Sequence, residues 1–242
     1  MKSIRIAQIT DLHLDEPFQI ENGIPTRKNA LTILEDLKQK RIDRVVCTGD
    51  IGMAASHSWL FEQLNGLGIP FHVILGNHDE YTEVRKFYDV RVKSNPGELY
   101  YSLEEHPYKY LFLDTSSSAI SSEQLSWIGQ EVQSPKELII FSHHPILPTG
   151  TTPQREFPLK GDKAVQQLLD ACDRRVVIFC GHLHMDQYST SRNIEQYICP
   201  ASCIQVKKQS DTTEIYSKNF GYRIIEISGN GCDEHVIMFE PD

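Results

Sequence analysis

The sequence predicts an α/β fold in a single domain, and three observations favour this class. Short apolar runs of strand character alternate with amphipathic helical segments through much of the chain. Several of these runs end in loops that carry Asp, His or Asn, as the carboxyl edge of an α/β sheet often does. A length of 242 residues suits one well-buried domain and is too short for two ordinary domains with a linker. We therefore expect residues 1–242 to form one domain.

The first half of the chain repeats a unit of strand, polar loop and helix. In the first helical segment, Ala30, Ile33, Leu34 and Leu37 share one face, and Pro25 suits its first turn. We expect functional side chains in the loop after each strand. The elements predicted in this half are strands at residues 4–9, 44–47 and 70–75 and helices at residues 25–40 and 56–65.

The second half becomes richer in strands. Ser121 and Gln124 are spaced as a capping box, which predicts a helix with Leu125, Ile128 and Val132 on its buried face. The sequence thus predicts an α/β half that leads into a mostly β half. The other elements predicted are a helix at residues 160–172 and strands at residues 100–103, 110–113, 138–142, 176–180, 194–199, 203–206, 222–227 and 236–239.

Composition limits the expected partners and location. The formal net charge is -9 and no basic stretch has interleaved aromatics, so we expect no nucleic-acid binding. The chain opens without a secretory signal and has no run of about 18 apolar residues, which predicts a cytoplasmic protein outside the membrane. The six cysteines form no C-x-x-C pair, and several lie in apolar runs, which favours reduced core cysteines.

Five short blocks of Asp, His and Asn form the strongest functional signal. A single Asp after a strand means little, because Asp is common in turns. In two blocks, however, a pair of side chains lies two residues apart, so that in extended chain each pair points to one side. Imidazole, carboxylate and one amide oxygen suit Mn²⁺, Fe, Zn²⁺ or Co²⁺ better than Ca²⁺ or Cu(I). The blocks are Asp11-Leu12-His13, Gly49-Asp50, Gly76-Asn77-His78-Asp79, His143-His144-Pro145 and Gly181-His182-Leu183-His184.

With these blocks in this order, the whole chain resembles the calcineurin-like metallophosphoesterase superfamily. The resemblance implies a four-layer α/β/β/α sandwich, in which two mixed sheets are flanked by helices. It also implies two divalent or trivalent metal ions, with Fe or Mn favoured over Zn or Co. By this resemblance, one metal is held by Asp11, His13, Asp50 and His184, and the other by Asp50, Asn77, His143 and His182.

Three further assignments follow from the resemblance alone. His143 is favoured over His144 because the family uses the histidine two positions before the proline, and His144 would then support a ligand or face the substrate. His78 is free to stabilise charge on the phosphoryl group or to protonate the leaving oxygen, and Asp79 would orient it. The implied reaction is hydrolysis of a phosphodiester by metal-activated hydroxide.

Within the superfamily, the chain is similar to bacterial 3′,5′-cyclic AMP phosphodiesterases. The likeness is carried by residues 9–13, 75–79 and 143–145 and by the later segments 200–206 and 221–223, where Tyr222 stands in place of Trp. It implies a small phosphodiester as the partner, most specifically cyclic AMP, and the sequence leaves the oligomeric state open.

Two alternatives remain open at the level of sequence. Another phosphodiesterase or phosphomonoesterase, such as a glycerophosphodiesterase or a nucleotidase, would keep the ligands and differ in loops 53–59, 95–97 and 148–157. A non-catalytic scaffold on the same fold is disfavoured, because no expected ligand is missing.

Overall fold

The computed structural model describes residues 3–90, 97–229 and 231–241. Their apolar strands form two mixed β-sheets that pack face to face, and helices cover both outer surfaces. The α/β class and the two mixed sheets flanked by helices are thus confirmed. No helix in these three stretches is long and apolar enough to cross a membrane.

The first sheet combines three parallel and two antiparallel strands. Its parallel strands are β1 (Ile4–Ile9), β2 (Arg44–Cys47) and β3 (Phe71–Val73). Strand β12 (Phe220–Ser228) runs antiparallel to β1, and β13 (Gly231–Phe239) runs antiparallel to β12. The spatial order is β13-β12-β1-β2-β3.

The three parallel strands of the first sheet end at one level. Their register places Ile9 opposite Cys47 and Cys47 opposite Val73. The loops that follow these strands therefore leave the same edge of the sheet side by side. This edge is where three of the five polar blocks begin.

The second sheet has six strands in the described part of the chain. Strands β5 to β7 and β9 are parallel, and β4 and β8 close the two edges in antiparallel orientation, which gives the order β4-β5-β6-β7-β9-β8. A short ribbon of β10 and β11 lies apart from both sheets. The bounds are β4 Tyr101–Glu105, β5 Tyr108–Phe112, β6 Glu137–Phe141, β7 Val176–Cys180, β8 Gln187–Ser191, β9 Ile194–Ile198, β10 Gln205–Val206 and β11 Ile215–Ser217.

Helices connect the strands and cover the sheets. Helices α2 and α3 contribute Ile33, Leu37, Leu60 and Leu64 to the core of the first sheet. Helices α5 and α7 pack on the outer face of the second sheet. The bounds are α1 Pro17–Glu21, α2 Thr26–Gln39, α3 Ala54–Gly66, α4 Tyr81–Val84, α5 Ser122–Glu131, α6 Thr152–Glu156 and α7 Asp162–Asp170.

An aromatic row fills the space between the two sheets. Tyr101, Phe112, Phe141, Phe179 and Tyr197 come from neighbouring strands of the second sheet, and their ring centroids are 4.5, 5.3, 5.7 and 5.5 Å apart in that order. Rings at such spacings bury much apolar area and stack favourably. This row supports β6 and β7, which are followed by the blocks that begin at His143 and Gly181.

Local structure departs from the sequence prediction at several elements. The capping box is only half formed: Ser121 Oγ accepts from Gln124 N at 3.0 Å, but the buried Gln124 side chain bonds to the Asp114 backbone. The strand predicted at 203–206 is reduced to β10, since the backbone bends at residues 202–203. Short elements α1, α4, α6 and β11 were not predicted, because they are too short to show a hydrophobic period. Strand β8 was not predicted because its sequence, Gln187–Ser191, contains no apolar run.

Candidate functional site

The site lies where loops from both sheets meet. The loops after β1 and β2 are joined by backbone hydrogen bonds from Asp11 N to Gly49 O (3.0 Å) and from His13 N to Asp50 O (3.0 Å). The loops after β6 and β7 are joined by a bond from Gly181 N to His143 O (2.9 Å). A bond from His182 N to Asp11 Oδ2 (2.9 Å) ties the two pairs of loops together. The five polar blocks thus share one site.

Five of the seven predicted ligands have left-handed backbone. The φ angles are 52° at Asp11, 45° at His13, 52° at Asp50, 68° at His182 and 49° at His184. Residues other than glycine rarely adopt this region, which costs of order 1–3 kcal/mol each and persists only where the surroundings enforce it. Such clustering is typical of functional sites, and no sequence pattern would have indicated it.

Two glycines allow the loops to approach one another. A Cβ on Gly76 would collide with Asp50 Oδ1, and a Cβ on Gly181 would collide with Thr10 Oγ1 and lie 2.6 Å from Asp11 Oδ2. Any side chain at these positions would displace a carboxylate that the site holds. The glycines in these two blocks therefore serve close packing around the ligands.

Two buried carboxylates form the centre of the site. Asp50 Oδ2 lies 3.3 Å from His143 Nε2 and 3.5 Å from His13 Nε2. Asp11 Oδ1 lies 3.4 Å from His184 Nε2 and 3.9 Å from His143 Nε2. Burial alone would raise the pKa of Asp50, but the charge of His143 holds it well below its usual range. Both carboxylates are thus anionic and surrounded by imidazoles.

The histidine tautomers show that this centre suits a cation. His143 Nδ1 lies 2.8 Å from Thr48 O and His184 Nδ1 lies 3.1 Å from Ile204 O, so each ring donates its Nδ1 proton to a carbonyl. The Nε2 lone pair of a neutral His143 would then face Asp50 Oδ2 and, at 3.2 Å, Asn77 Oδ1. Three electron-rich atoms facing one another require a positive charge between them.

The pKa of His143 agrees with this interpretation. Burial opposes protonation of the ring, but the Asp50 carboxylate outweighs it and raises the pKa of His143 to about 9. The surroundings thus favour positive charge at Nε2, and a metal ion supplies that charge when it replaces the proton. The residues present therefore fit a metal centre.

The rings of His182 and His144 lie against each other, and both are next to His143. His182 Nε2 lies 3.0 Å from Phe157 O, and its ring centroid is 3.9 Å from that of His144. Atoms of His143, His144 and His182 come close enough to bind one ion. His144 Nδ1 lies 2.9 Å from Thr115 Oγ1, and its buried Nε2 has no hydrogen-bond partner.

Asn77 and His78 lie at the open side of the site. Asn77 Oδ1 is 3.2 Å from His143 Nε2, and the backbone N of His78 donates to Asp50 Oδ1 at 2.9 Å. The His78 side chain is 45% exposed, so its ring can reach a bound molecule. The structure therefore brings all seven predicted ligands and His78 to one place.

The position expected for Asp79 is taken by Glu16. Asp79 is buried, and its carboxylate accepts from the backbone N of Gly76 and Ile51 at 2.9 Å each instead of from the His78 ring. Burial and then the nearby Asp50 raise the pKa of Asp79 to about 7. Asp79 thus fixes two loops, and the carboxylate on the His78 ring is that of Glu16. That Asp79 acts on His78 stays a prediction.

Glu16 contacts two rings of the site. Its Oε2 lies 3.1 Å from His78 Nδ1, and its Oε1 lies 3.1 Å from His13 Nδ1. Burial alone would raise the pKa of Glu16, but these two histidines lower it to about 2. Glu16 was not among the predicted site residues, and its one signal in the sequence is an acidic side chain three positions after His13.

A cavity of about 380 Å³ opens over the polar cluster. It has a polar side of predicted ligands and an apolar side, and none of the described residues that line it is Lys or Arg. Phe18 and Phe157 on the apolar side are 49% and 54% exposed. The apolar side is formed by Phe18, Pro153, Phe157, Ile204, Val206 and Ile215.

The three loops expected to determine the substrate differ in whether they line the cavity. Residues 148–157 supply Pro153 and Phe157 to this cavity. Met53 lines an adjoining cavity of about 400 Å³, and residues 54–59 belong to α3. Residues 95–96 lie outside the described residues.

The segments that suggested a cyclic nucleotide phosphodiesterase mainly support the site. Ile204 O accepts from His184, and Ser202 N donates to Thr10 O at 2.9 Å. Arg223 is buried and pairs with Asp186 at 2.6 Å and with Glu234. These residues hold ligands and strands in place, while Ile204 and Val206 also reach the cavity.

Known proteins match this chain in sequence and in fold. The family model described as Calcineurin-like phosphoesterase matches residues 4–186. A Fibrobacter succinogenes protein named "Probable cyclic nucleotide phosphodiesterase" is 28% identical over 97% of this chain and 94% of its own length. An Arcobacter nitrofigilis protein named "Probable glycerophosphodiester phosphodiesterase GpdQ" is 27% identical over 74% of this chain and 71% of its own. A dimetal phosphatase from Danio rerio shares the fold, with a TM-score of 0.66 at 14% identity over 98% of this chain and 99% of that one.

Proposed function

The chain belongs to the calcineurin-like phosphoesterase family, and on that premise we propose that it is a binuclear metal-dependent phosphodiesterase that opens 3′,5′-cyclic AMP to 5′-AMP. The observation that carries the choice of a nucleotide is the cavity, in which an apolar wall with two exposed phenylalanines faces the cluster of ligands. One side can accept a phosphoryl group, and the other can accept a flat base.

We propose the two ligand sets that the family resemblance implies, with Asp50 shared by both ions. The support is geometric, since Asp50 lies within 3.5 Å of both His13 and His143, which belong to different sets. Nitrogen and oxygen donors without a thiolate favour Fe or Mn, with Zn or Co as alternatives. When bound, such ions act as Lewis acids and lower the pKa of a water molecule toward neutrality.

The protein's own residues then position the substrate and move a proton. Asn77 and His78 lie at the open side, where the phosphoryl group would enter. His78 would donate a proton to the leaving 3′ oxygen, because its ring is exposed and the adjacent Glu16 raises its pKa. General acid catalysis of this kind contributes about 10²- to 10⁴-fold.

No Lys or Arg is found among the described residues that line the cavity, which favours a diester over a monoester. A phosphodiester carries one negative charge, whereas a monoester carries close to two at neutral pH. Beside the Glu16 carboxylate, the second charge finds no basic partner in the part of the cavity that the structure describes, and only the proposed metal ions could balance it. We therefore propose that the monophosphate product is released rather than cleaved again.

A glycerophosphodiesterase is the second candidate, and the Arcobacter nitrofigilis relative is the observation that favours it. Glycerol is small and polar, and it would leave the exposed faces of Phe18 and Phe157 in contact with water. A nucleotide covers them, which favours the first candidate. A non-catalytic scaffold is disfavoured because the seven ligand positions converge.

A comparison of substrates tests the proposal. The Mn²⁺-loaded protein should hydrolyse bis-p-nitrophenyl phosphate and cyclic AMP, and it should act poorly on p-nitrophenyl phosphate and on glycerophosphocholine. The matched control is the same protein after chelation of its metal. Hydrolysis of glycerophosphocholine with cyclic AMP left intact would establish the second candidate instead.

A further inference from the structure

We infer that Glu16 is a positioning residue for His78: its carboxylate holds the imidazole in the orientation from which the ring donates a proton to the leaving oxygen. This inference rests on the proposed function, because it assigns a role within hydrolysis of a phosphodiester. Glu16 lies outside the five polar blocks, so its role comes from the structure.

The contact between Glu16 and His78 is two-fold. His78 Nδ1 lies 3.1 Å from one carboxylate oxygen of Glu16 and 3.2 Å from the other. The Glu16 side chain is 12% exposed, whereas that of His78 is 45% exposed. The mostly buried Glu16 carboxylate therefore contacts the Nδ1 edge of the His78 ring, and the rest of this ring is open to the cavity.

The backbone around Glu16 is fixed, so its carboxylate is a firm support. Glu16 is the residue at the amino end of α1, and Pro17 begins that helix. Just before it, Leu14 N donates to Ile51 O at 2.9 Å. The preceding residue, Asp15, accepts a hydrogen bond from Ser56 Oγ at 2.6 Å and forms an ion pair with Arg27 at 2.6 Å. These contacts anchor the two residues that precede Glu16.

Other carboxylates near His78 are engaged differently. Asp79 bonds to the backbone of two loops. Glu80 and Glu83 line the adjoining cavity together with His78, and Glu83 pairs with Lys86 at 2.6 Å. Among the described residues, Glu16 is thus the carboxylate that contacts the His78 ring, and Glu80 is a matched acidic neighbour for control experiments.

The assigned proton transfer balances as follows. With Nδ1–H directed to Glu16, the donated proton is the one on His78 Nε2. As the bond between phosphorus and the leaving oxygen breaks, its electron pair stays on that oxygen, which takes the proton. The oxygen of the attacking water forms the new bond to phosphorus and releases its proton to solvent, from which the exposed His78 is reprotonated.

Two substrates that differ only in the leaving group test the role of Glu16. Methyl phenyl phosphate loses a phenol that needs the proton, and methyl p-nitrophenyl phosphate loses a phenol that departs readily without it. For Glu16→Ala, kcat should fall by about tenfold or more on the phenyl ester and by less than about threefold on the nitrophenyl ester. Glu16→Gln keeps an oxygen acceptor and should recover part of the loss, and Glu80→Gln serves as the control for charge.

Two further measurements separate positioning from a merely structural role. Metal content of each purified variant shows whether the His13 contact has been disturbed. In a His78→Ala background, adding Glu16→Ala should lower kcat no further, because both residues act through one proton. Equal losses on the two esters, or additive losses in the double variant, would overturn the inference while the proposed function stands. If the wild-type protein cleaves neither diester, the proposed function itself fails.

Discussion

Removal of the Phe157 ring should lower kcat/KM for cyclic AMP far more than kcat/KM for a substrate without a base. A phenylalanine side chain has about 200 Å² of surface, and Phe157 is 54% exposed, so about 100 Å² is open to a ligand. If a base covers most of that area, burial at about 25 cal/mol per Å² gives about 2 kcal/mol. This agrees with the range of about 1–3 kcal/mol for a base stacked on an aromatic ring.

In Phe157→Ala, kcat/KM on cyclic AMP should therefore fall by about 10- to 30-fold, at about 1.4 kcal/mol for each factor of ten. The assay compares this variant with the wild type on cyclic AMP and on base-free 3′,5′-cyclic ribose phosphate. On the base-free substrate, kcat/KM should fall by less than about twofold. Phe157→Tyr keeps the ring and should retain most of the activity. An equal loss on both substrates would refute the assignment of this wall to the base.

The remaining predictions concern metal content and stability. Asp50→Ala should lose both metal ions, because Asp50 lies between the two sets, whereas His78→Ala should keep both; mass spectrometry of the purified variants measures this. His143→Ala should bind one ion fewer than His144→Ala, and the reverse order would reassign the ligand. Burial, followed by the charge of Arg44, lowers the pKa of His72 to about 4, so between pH 6.5 and pH 4 the unfolded chain binds more protons and stability falls as pH falls. The difference is worth about 1.36 kcal/mol per pH unit. In urea unfolding of metal-free protein, the free energy of unfolding of the wild type minus that of His72→Gln should therefore fall by about 2 kcal/mol from pH 7 to pH 5. A constant difference would contradict this.

The sequence predicted the parts of the molecule that depend on repeated patterns. Buried parallel strands such as β2 and β7 are continuous apolar runs, and the polar blocks follow them directly, so both could be identified without a structure. The two mixed sheets flanked by helices are confirmed. That residues 1–242 form a single domain stays a prediction.

The sequence could not show features that arise from contacts between distant segments. Helices α1 and α6 have five residues each, too few for a hydrophobic period, yet Phe18 in α1 and Phe157 directly after α6 line the cavity. The contact of Glu16 with His78 joins residues 62 positions apart. Likewise, the Gln124 side chain could bond to its own helix start or to Asp114, and tertiary packing decided in favour of Asp114.

Titration of metal-free protein with Mn²⁺ shows whether hydrolysis of cyclic AMP needs two ions, when the rate and the identity of the product are followed at each addition. A shared Asp50 between two ligand sets predicts that the rate reaches its plateau at two Mn²⁺ per chain and that the product is 5′-AMP. A plateau at one ion per chain, or cyclic AMP left intact at millimolar concentration while bis-p-nitrophenyl phosphate is cleaved, would contradict the account.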